Sequence, residues 1–170
     1  MTKIGVMSDT HSFVPKQIYS FFNDVDLILH CGDIGSSDAL CELRVFKPTI
    51  AVYGNCDSRY ELEDVEEFQS LEIEKTKILM THIGGYPKHY PEHIAKRLKE
   101  EKPDIFLCGH SHILKIMYDK DFDFLLINPG ACGRQGFHLK STLVKFVLDN
   151  GKAKDLDIME FEKNNINWKN

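Results

Sequence analysis

The chain of 170 residues is the size of one domain, and its 42% apolar content is that of an ordinary globular protein. A chain this long buries roughly two-thirds of its unfolded surface and needs no disulfide staples. Acids outnumber bases 26 to 21, a net charge of −5, which argues against a nucleic-acid polymer as the main partner and leaves small phosphorylated substrates open.

Five cysteines, an odd number with no C-x-x-C pair, argue for a reducing, cytoplasmic setting. The N-terminus has no signal-peptide core, and no apolar run approaches a membrane span. Ile4–Met7 reads as a short buried strand ending in the turn-forming pair Ser8-Asp9. Pro15 suits the first turn of a helix carrying Ile18, Phe21 and Phe22. Val25–His30 is the next strand, and Ser36 or Ser37 caps a helix over Asp38–Phe46 whose inner face is Ala39, Leu40 and Leu43. Thr49–Tyr53 follows Lys47-Pro48 as the third strand. This β-α-β-α-β order predicts a parallel sheet with right-handed crossovers.

Arg59–Glu67 is rich in acid and reads as a loop or short helix. Phe68–Ile73 and Lys77–Met80 form a hairpin around Glu74-Lys75-Thr76. Pro91 opens a helix with Ile94, Ala95 and Leu98 inward, and Pro103 marks its end. Asp104–Cys108, Ile113–Tyr118, Phe122–Ile127, Thr142–Leu148 and Asp155–Phe161 are strand-like, the last two joined by the turn Asp149-Asn150-Gly151. From Glu162 the tail is polar apart from Trp168 and is expected to be loosely ordered. The whole is expected to be one domain of two packed sheets with helices outside.

Each early strand and several later ones run into a polar block: Asp9-Thr10-His11, Gly32-Asp33, Gly54-Asn55-Cys56-Asp57, Thr81-His82 and Gly109-His110-Ser111-His112. In open parallel sheets, ligands sit beyond the carboxyl ends of strands. Singly, Gly32-Asp33 and Gly54-Asn55 are ordinary turns. Turn chemistry does not explain histidines at three of the same strand ends. Carboxylates, one amide and imidazoles are the ligand mix for borderline divalent metals.

Two close metals need a bridging ligand, and Asp33 is the candidate. Asp9, His11 and His112 then complete one metal; Asn55, His82 and His110 complete the other. A water between dications about 3.5–4 Å apart is a nucleophile near neutral pH. Mixed nitrogen and oxygen donors suit manganese, nickel, iron or zinc better than magnesium, and manganese is the first expectation. No cysteine stands among the seven candidate ligands, which disfavours a structural zinc site.

In these five blocks, taken in order across almost the whole chain, the sequence resembles the calcineurin-like metallophosphoesterases, most closely the small phosphodiesterase branch of the YfcE type. Asn128-Pro129-Gly130 also resembles a late turn of that branch. The resemblance implies a four-layer α/β/β/α sandwich, a two-metal centre, hydrolysis of a phosphodiester by a metal-bridging hydroxide, and the same ligand division. Asp33, Asn55 and His110 are thereby expected to serve catalysis as well as binding.

Three departures stand out. Cys56 occupies a place where many members carry His to assist the departing oxygen, so substrates with good leaving groups are expected. A catalytic and a plain buried role for Cys56 are both open. Ile83-Gly84-Gly85 follows His82 without an auxiliary histidine, and Ala131 stands where relatives often have Ser.

Arg134, flanked by glycines, either clamps a phosphate or is a solvated arginine. Asp57 either orients a ligand or finishes a turn. Tyr86–Tyr90 either walls the substrate pocket or simply connects elements. His30 reads as core, His93 and His138 as surface, and Glu61–Glu67 as a solvated face. The expected function is a metal-dependent phosphodiesterase for a small ester, with a homodimer or higher homo-oligomer expected from base rates. A non-catalytic scaffold on the same fold, as in the retromer subunit, and a phosphomonoesterase are the alternatives. All seven ligand positions hold competent side chains, which favours the enzyme.

Overall fold

The computed structural model describes residues 1–163. The first half runs β1 (Thr2–Met7), α1 (Gln17–Phe21), β2 (Leu27–His30), α2 (Ser37–Phe46), β3 (Thr49–Ala51), β4 (Phe68–Ile73) and β5 (Thr76–Thr81). The second runs α3 (Glu92–Glu101), β6 (Ile105–Leu107), β7 (Leu114–Asp119), β8 (Phe124–Pro129), β9 (Lys140–Asp149) and β10 (Lys152–Glu162). They build two mixed sheets, ordered β10-β9-β1-β2-β3 and β4-β5-β6-β8-β7. In each, the central neighbours are parallel: β1 with β2 and β2 with β3, β5 with β6 and β6 with β8.

Side-chain alternation explains why two sheets form. Ile4 and Val6 of β1 and Leu29 of β2 point inward, where they meet Ile78 and Met80 of β5, Ile105 and Leu107 of β6 and Ile127 of β8. The opposite face carries Met7 and Ile28, packed against Ile18, Phe21 and Phe22 around α1 and Leu43 of α2. On the second sheet Leu79, Phe106, Phe124 and Leu126 face outward onto Ile94 and Leu98 of α3. The result is the α/β/β/α layering expected of the chain. Every parallel strand is apolar on both faces because both faces are covered.

Local chemistry places the helices. Ser36 caps α2 by accepting the Ala39 N–H, and Lys47 ends it before Pro48. Lys102 closes α3 in the left-handed conformation ahead of Pro103. Ala95, expected inside, is only half-buried on the shoulder of α3, whereas Ile94 and Leu98 are buried.

Several strands are shorter than their apolar runs. The Val25 N–H bonds the Phe22 carbonyl (3.2 Å) rather than a strand, and the Tyr53 N–H bonds Glu66 across an acidic loop (3.0 Å). That loop forms no helix; its acids face solvent while Leu62 and Val65 pack under α2. The β4–β5 turn is one residue tighter than expected, with Glu74 and Lys75 both at positive φ and Thr76 already in the strand. Glu162 ends β10 rather than opening a loose tail, and Lys163 is buried. Residues 164–170, including Trp168, lie outside the described residues.

Candidate metal centre

The polar blocks converge at the carboxyl ends of the parallel strands. Asp9 and His11 follow β1, Asp33 follows β2, Asn55 follows β3, His82 directly follows β5, and His110 and His112 follow β6. Backbone bonds lace the loops together. The Asp9 N–H bonds Gly32, the His11 N–H bonds Asp33, and the Gly109 N–H bonds His82, all at 2.9–3.0 Å.

Five candidate side chains crowd one buried space. His112 Nε2 stands 3.1 Å from Asp9 Oδ1, and His82 Nε2 is 3.9 Å from the same oxygen. Asp33 Oδ2 lies 3.3 Å from His82 Nε2 and 3.8 Å from His11 Nε2. The imidazoles pair edge to face, His11 with His112 at 5.5 Å and His82 with His110 at 5.2 Å. Asp9, His11 and His112 form one group of ligand atoms within 4.8 Å of one another, and Asp9, Asp33 and His82 form another.

The placement of Asn55 and His110 differs. Both are exposed at the rim. The Asn55 amide donates to Cys56 Sγ (3.3 Å). Cys56 is exposed too, which removes the plain buried role; its sulfur groups with His11 and Asp33. Partial burial, then the Asp33 charge, pushes the Cys56 thiol above its usual range, so it stays a thiol near neutral pH. Arg134 lays its guanidinium 3.7 Å over the Phe13 ring, on the loop that carries His11.

The donor atoms fit a cation. Both carboxylate oxygens of Asp9, His11 Nε2 and His82 Nε2 are buried without a hydrogen-bond partner among the described residues. Buried polar atoms are otherwise almost always paired. His82 Nδ1 meets the Cys31 carbonyl at 2.7 Å, which places the proton on Nδ1 and leaves the Nε2 lone pair facing two carboxylates. Burial alone would lower the His82 pKa; the contact with Asp33 and the charges of Asp9 and Asp33 outweigh it and raise the pKa. The Asp33 carboxyl is pushed up by burial, but His82 and the Cys56 N–H (2.9 Å) hold it well below the usual range. For His11, burial wins over both carboxylates and lowers its pKa. The space therefore attracts positive charge while keeping one imidazole neutral.

Backbone conformation is part of the design. Asp9, His11, Asp33, His110 and His112 all have positive φ. The left-handed region costs a non-glycine residue roughly 1–2 kcal/mol. Such outliers persist where surrounding structure over-determines them, commonly at functional sites. Gly54 is needed for a different reason: a Cβ there would lie 2.1 Å from Asp33 Oδ1.

Three networks support the ligand loops, and sequence flagged Asp57 and the Asn128 turn without showing their partners. Asp57 accepts the Gly35 N–H and the Gly54 N–H, both at 2.7 Å, stapling the loop after β2 to the loop after β3. Asn128 donates to the Gly109 carbonyl (2.7 Å) and Ser111 Oγ (3.1 Å) while accepting the Gly130 N–H (3.0 Å). It thereby holds the turn between His110 and His112. His30, fully buried, accepts the Gly32 N–H at Nδ1 (3.2 Å), so its proton sits on Nε2 and goes to Thr10 Oγ1 (2.9 Å). Thr10 donates onward to the Ile34 carbonyl (3.0 Å). One chain of bonds thus ties the Asp9–His11 loop to the Asp33 loop. His93 and His138 are on the surface, as expected.

Comparison with known proteins gives the family and the fold. The family model for the calcineurin-like phosphoesterase superfamily domain matches residues 2–151. A probable metallophosphoesterase of Methanocaldococcus jannaschii is 35% identical over 165 residues, 92% of this chain and 82% of that protein. A solved structure described as a novel archaeal phosphodiesterase superposes with a TM-score of 0.75 at 28% identity, covering 92% of this chain and 99% of that one. Vps29 of Entamoeba histolytica shares the fold at 17% identity and a TM-score of 0.72, over 94% of this chain and 99% of that one.

Proposed function

The chain belongs to the calcineurin-like phosphoesterase superfamily, and from that premise we propose that it is a two-metal phosphodiesterase acting on a small ester. One observation carries the reading: Asp9, His11 and His82 bury four unpartnered donor atoms that face the same space as Asp33. Leaving them unpaired costs roughly 1–3 kcal/mol each, more where charged. Divalent cations bound there would remove that cost.

Asp9, His11 and His112 would hold one ion, and His82, with Asn55 and His110 at the rim, would hold the other. Asp33, whose Oδ2 faces both His82 and His11, would be shared between the two sets. Manganese suits these donors, with nickel, iron and zinc as the alternatives. When bound, such ions supply activation of water and neutralisation of phosphoryl charge. The residues of the chain do the rest. The Cys31 carbonyl keeps the His82 lone pair aimed inward. Asp57, Asn128 and the His30–Thr10 chain hold the ligand loops in register. His110, on the rim beside His82, is placed to touch substrate as well as metal. Cys56 offers a thiol where an imidazolium would be the stronger proton donor to a departing alkoxide, which favours esters whose leaving group departs unaided.

Manganese-loaded protein is expected to hydrolyse bis(p-nitrophenyl) phosphate, to lose that activity on chelation, and to act more slowly on p-nitrophenyl phosphate. Turnover no higher than that of chelated protein, across manganese, nickel, iron and zinc, refutes the reading. A faster monoester rate would make the protein a phosphomonoesterase instead.

A further inference from the structure

Beside the metal centre lies a cavity of about 260 Å³, reached past His110. Its walls come from the segment after His82 and from the second sheet: Ile83, Tyr86, Ile113 and Lys115 are its distinctive side chains. Ile83, Tyr86 and Ile113 remain 43%, 45% and 47% exposed, an apolar lip that nothing among the described residues covers. The Tyr86 ring packs on His89 with centroids 4.7 Å apart.

The charge of this cavity is unlike that of the chain. The molecule carries −5 overall, yet no Asp or Glu lines the cavity. Lys115 lies there half-buried, its ammonium 4.2 Å from the Tyr86 ring centroid, and it forms no ion pair among the described residues. Other lysines, including Lys3, Lys140, Lys145 and Lys154, do pair with carboxylates. A cation held over an aromatic ring at an apolar wall, without a counter-charge, suits a flat ligand that brings its own anion.

We propose that this cavity binds one ester arm of the substrate, a flat apolar arm bearing a negative group, with Lys115 as the partner of that group and Tyr86 and Ile113 as the walls. This rests on the phosphodiesterase reading, because His110 joins the two sites: it lines the cavity and stands beside His82. A phosphorus atom at the metal centre thus leaves one ester arm next to the cavity. The substrate class is then a small diester with a second anionic group on a planar arm, such as an aryl carboxylate or a nucleotide with a further phosphate.

The test uses four p-nitrophenyl diesters with one leaving group and different arms: methyl, phenyl, 4-carboxyphenyl and choline. For the manganese-loaded protein, kcat/KM is expected to fall in the order 4-carboxyphenyl, phenyl, methyl, choline. Lys115→Met is expected to reduce the preference for 4-carboxyphenyl over phenyl about tenfold, and Lys115→Arg to retain most of it. A second readout needs no metal. In chelated protein, 4-carboxyphenyl phosphate is expected to shift the amide resonances of Tyr86, Ile113 and Lys115, and Lys115→Met to abolish those shifts. A preference untouched by Lys115→Met, or shifts confined to other loops, overturns the assignment while the phosphodiesterase reading stands. Hydrolysis of none of the four esters instead counts against the function itself.

Discussion

Asp57 shows how much of the centre depends on residues that are not ligands. Its two oxygens take the Gly35 and Gly54 N–H groups, and Gly54 in turn is pressed against Asp33. Asp57→Ala is expected to destabilise the fold by up to about 2–6 kcal/mol, the cost of two unpaired N–H groups at roughly 1–3 kcal/mol each, and to weaken metal binding through Asp33. Urea unfolding and metal titration of one sample check both effects; an unchanged midpoint with unchanged affinity contradicts this role. His30 makes a second residue-scale prediction. Burial pushes its pKa from 6.5 down to about 4, so the unfolded chain takes up a proton between those values and the folded chain does not. Stability from this residue is therefore complete above about pH 6.5 and falls as the pH drops toward 4, by up to about 3 kcal/mol. NMR titration should find the His30 ring neutral at pH 5; a ring titrating near 6.5 in the folded protein contradicts it. The candidate ligands were legible in sequence because each follows an apolar run. Asp57 and the Asn128 turn were visible as residues but not by their partners, and the His30–Thr10 pair not at all, since hydrogen bonds between separate loops leave no mark in sequence.

At the scale of elements, periodicity and capping residues located the strands and helices, while hydrogen bonding decided where each one stopped. Val25 and Tyr53 look like strand residues but donate to Phe22 and Glu66. The β4–β5 turn carries a hidden cost: Glu74 and Lys75 both sit at positive φ, where two-residue hairpins favour Asn-Gly. No glycine or asparagine marks it, so the sequence read as a three-residue connection. Glu74 is engaged by the N-terminal ammonium and the Thr2 hydroxyl, which offsets its share of that cost; Lys75 is exposed. Lys75→Gly is expected to stabilise the protein by roughly 0.5–1 kcal/mol, since only glycine enters this region freely. A thermal or urea midpoint that falls would contradict the strain assigned to Lys75.

For the whole molecule, what sequence could not reveal is the sheet order. Strand β9 pairs with β1 from the far end of the chain, Val144 opposite Val6, and no local pattern encodes that pairing. It matters because it places β1 inside its sheet, with its carboxyl end facing those of β5 and β6 across the sandwich. The candidate centre is then a seam between two sheets, where bound cations would brace both. At a free metal concentration 100 times its dissociation constant, one site adds about 2.7 kcal/mol, a rise of roughly 5–10 °C in Tm for a chain of this size. Manganese is expected to raise Tm by at least that much; no shift contradicts the bracing.

The most direct measurement is the metal stoichiometry of the protein, by elemental analysis after equilibration with manganese and removal of free ion. Two ions per chain are expected for the native protein and fewer for Asp33→Asn, whose amide bridges poorly. A native chain that retains no ion, or an Asp33→Asn chain that still retains two, contradicts a centre built around Asp33.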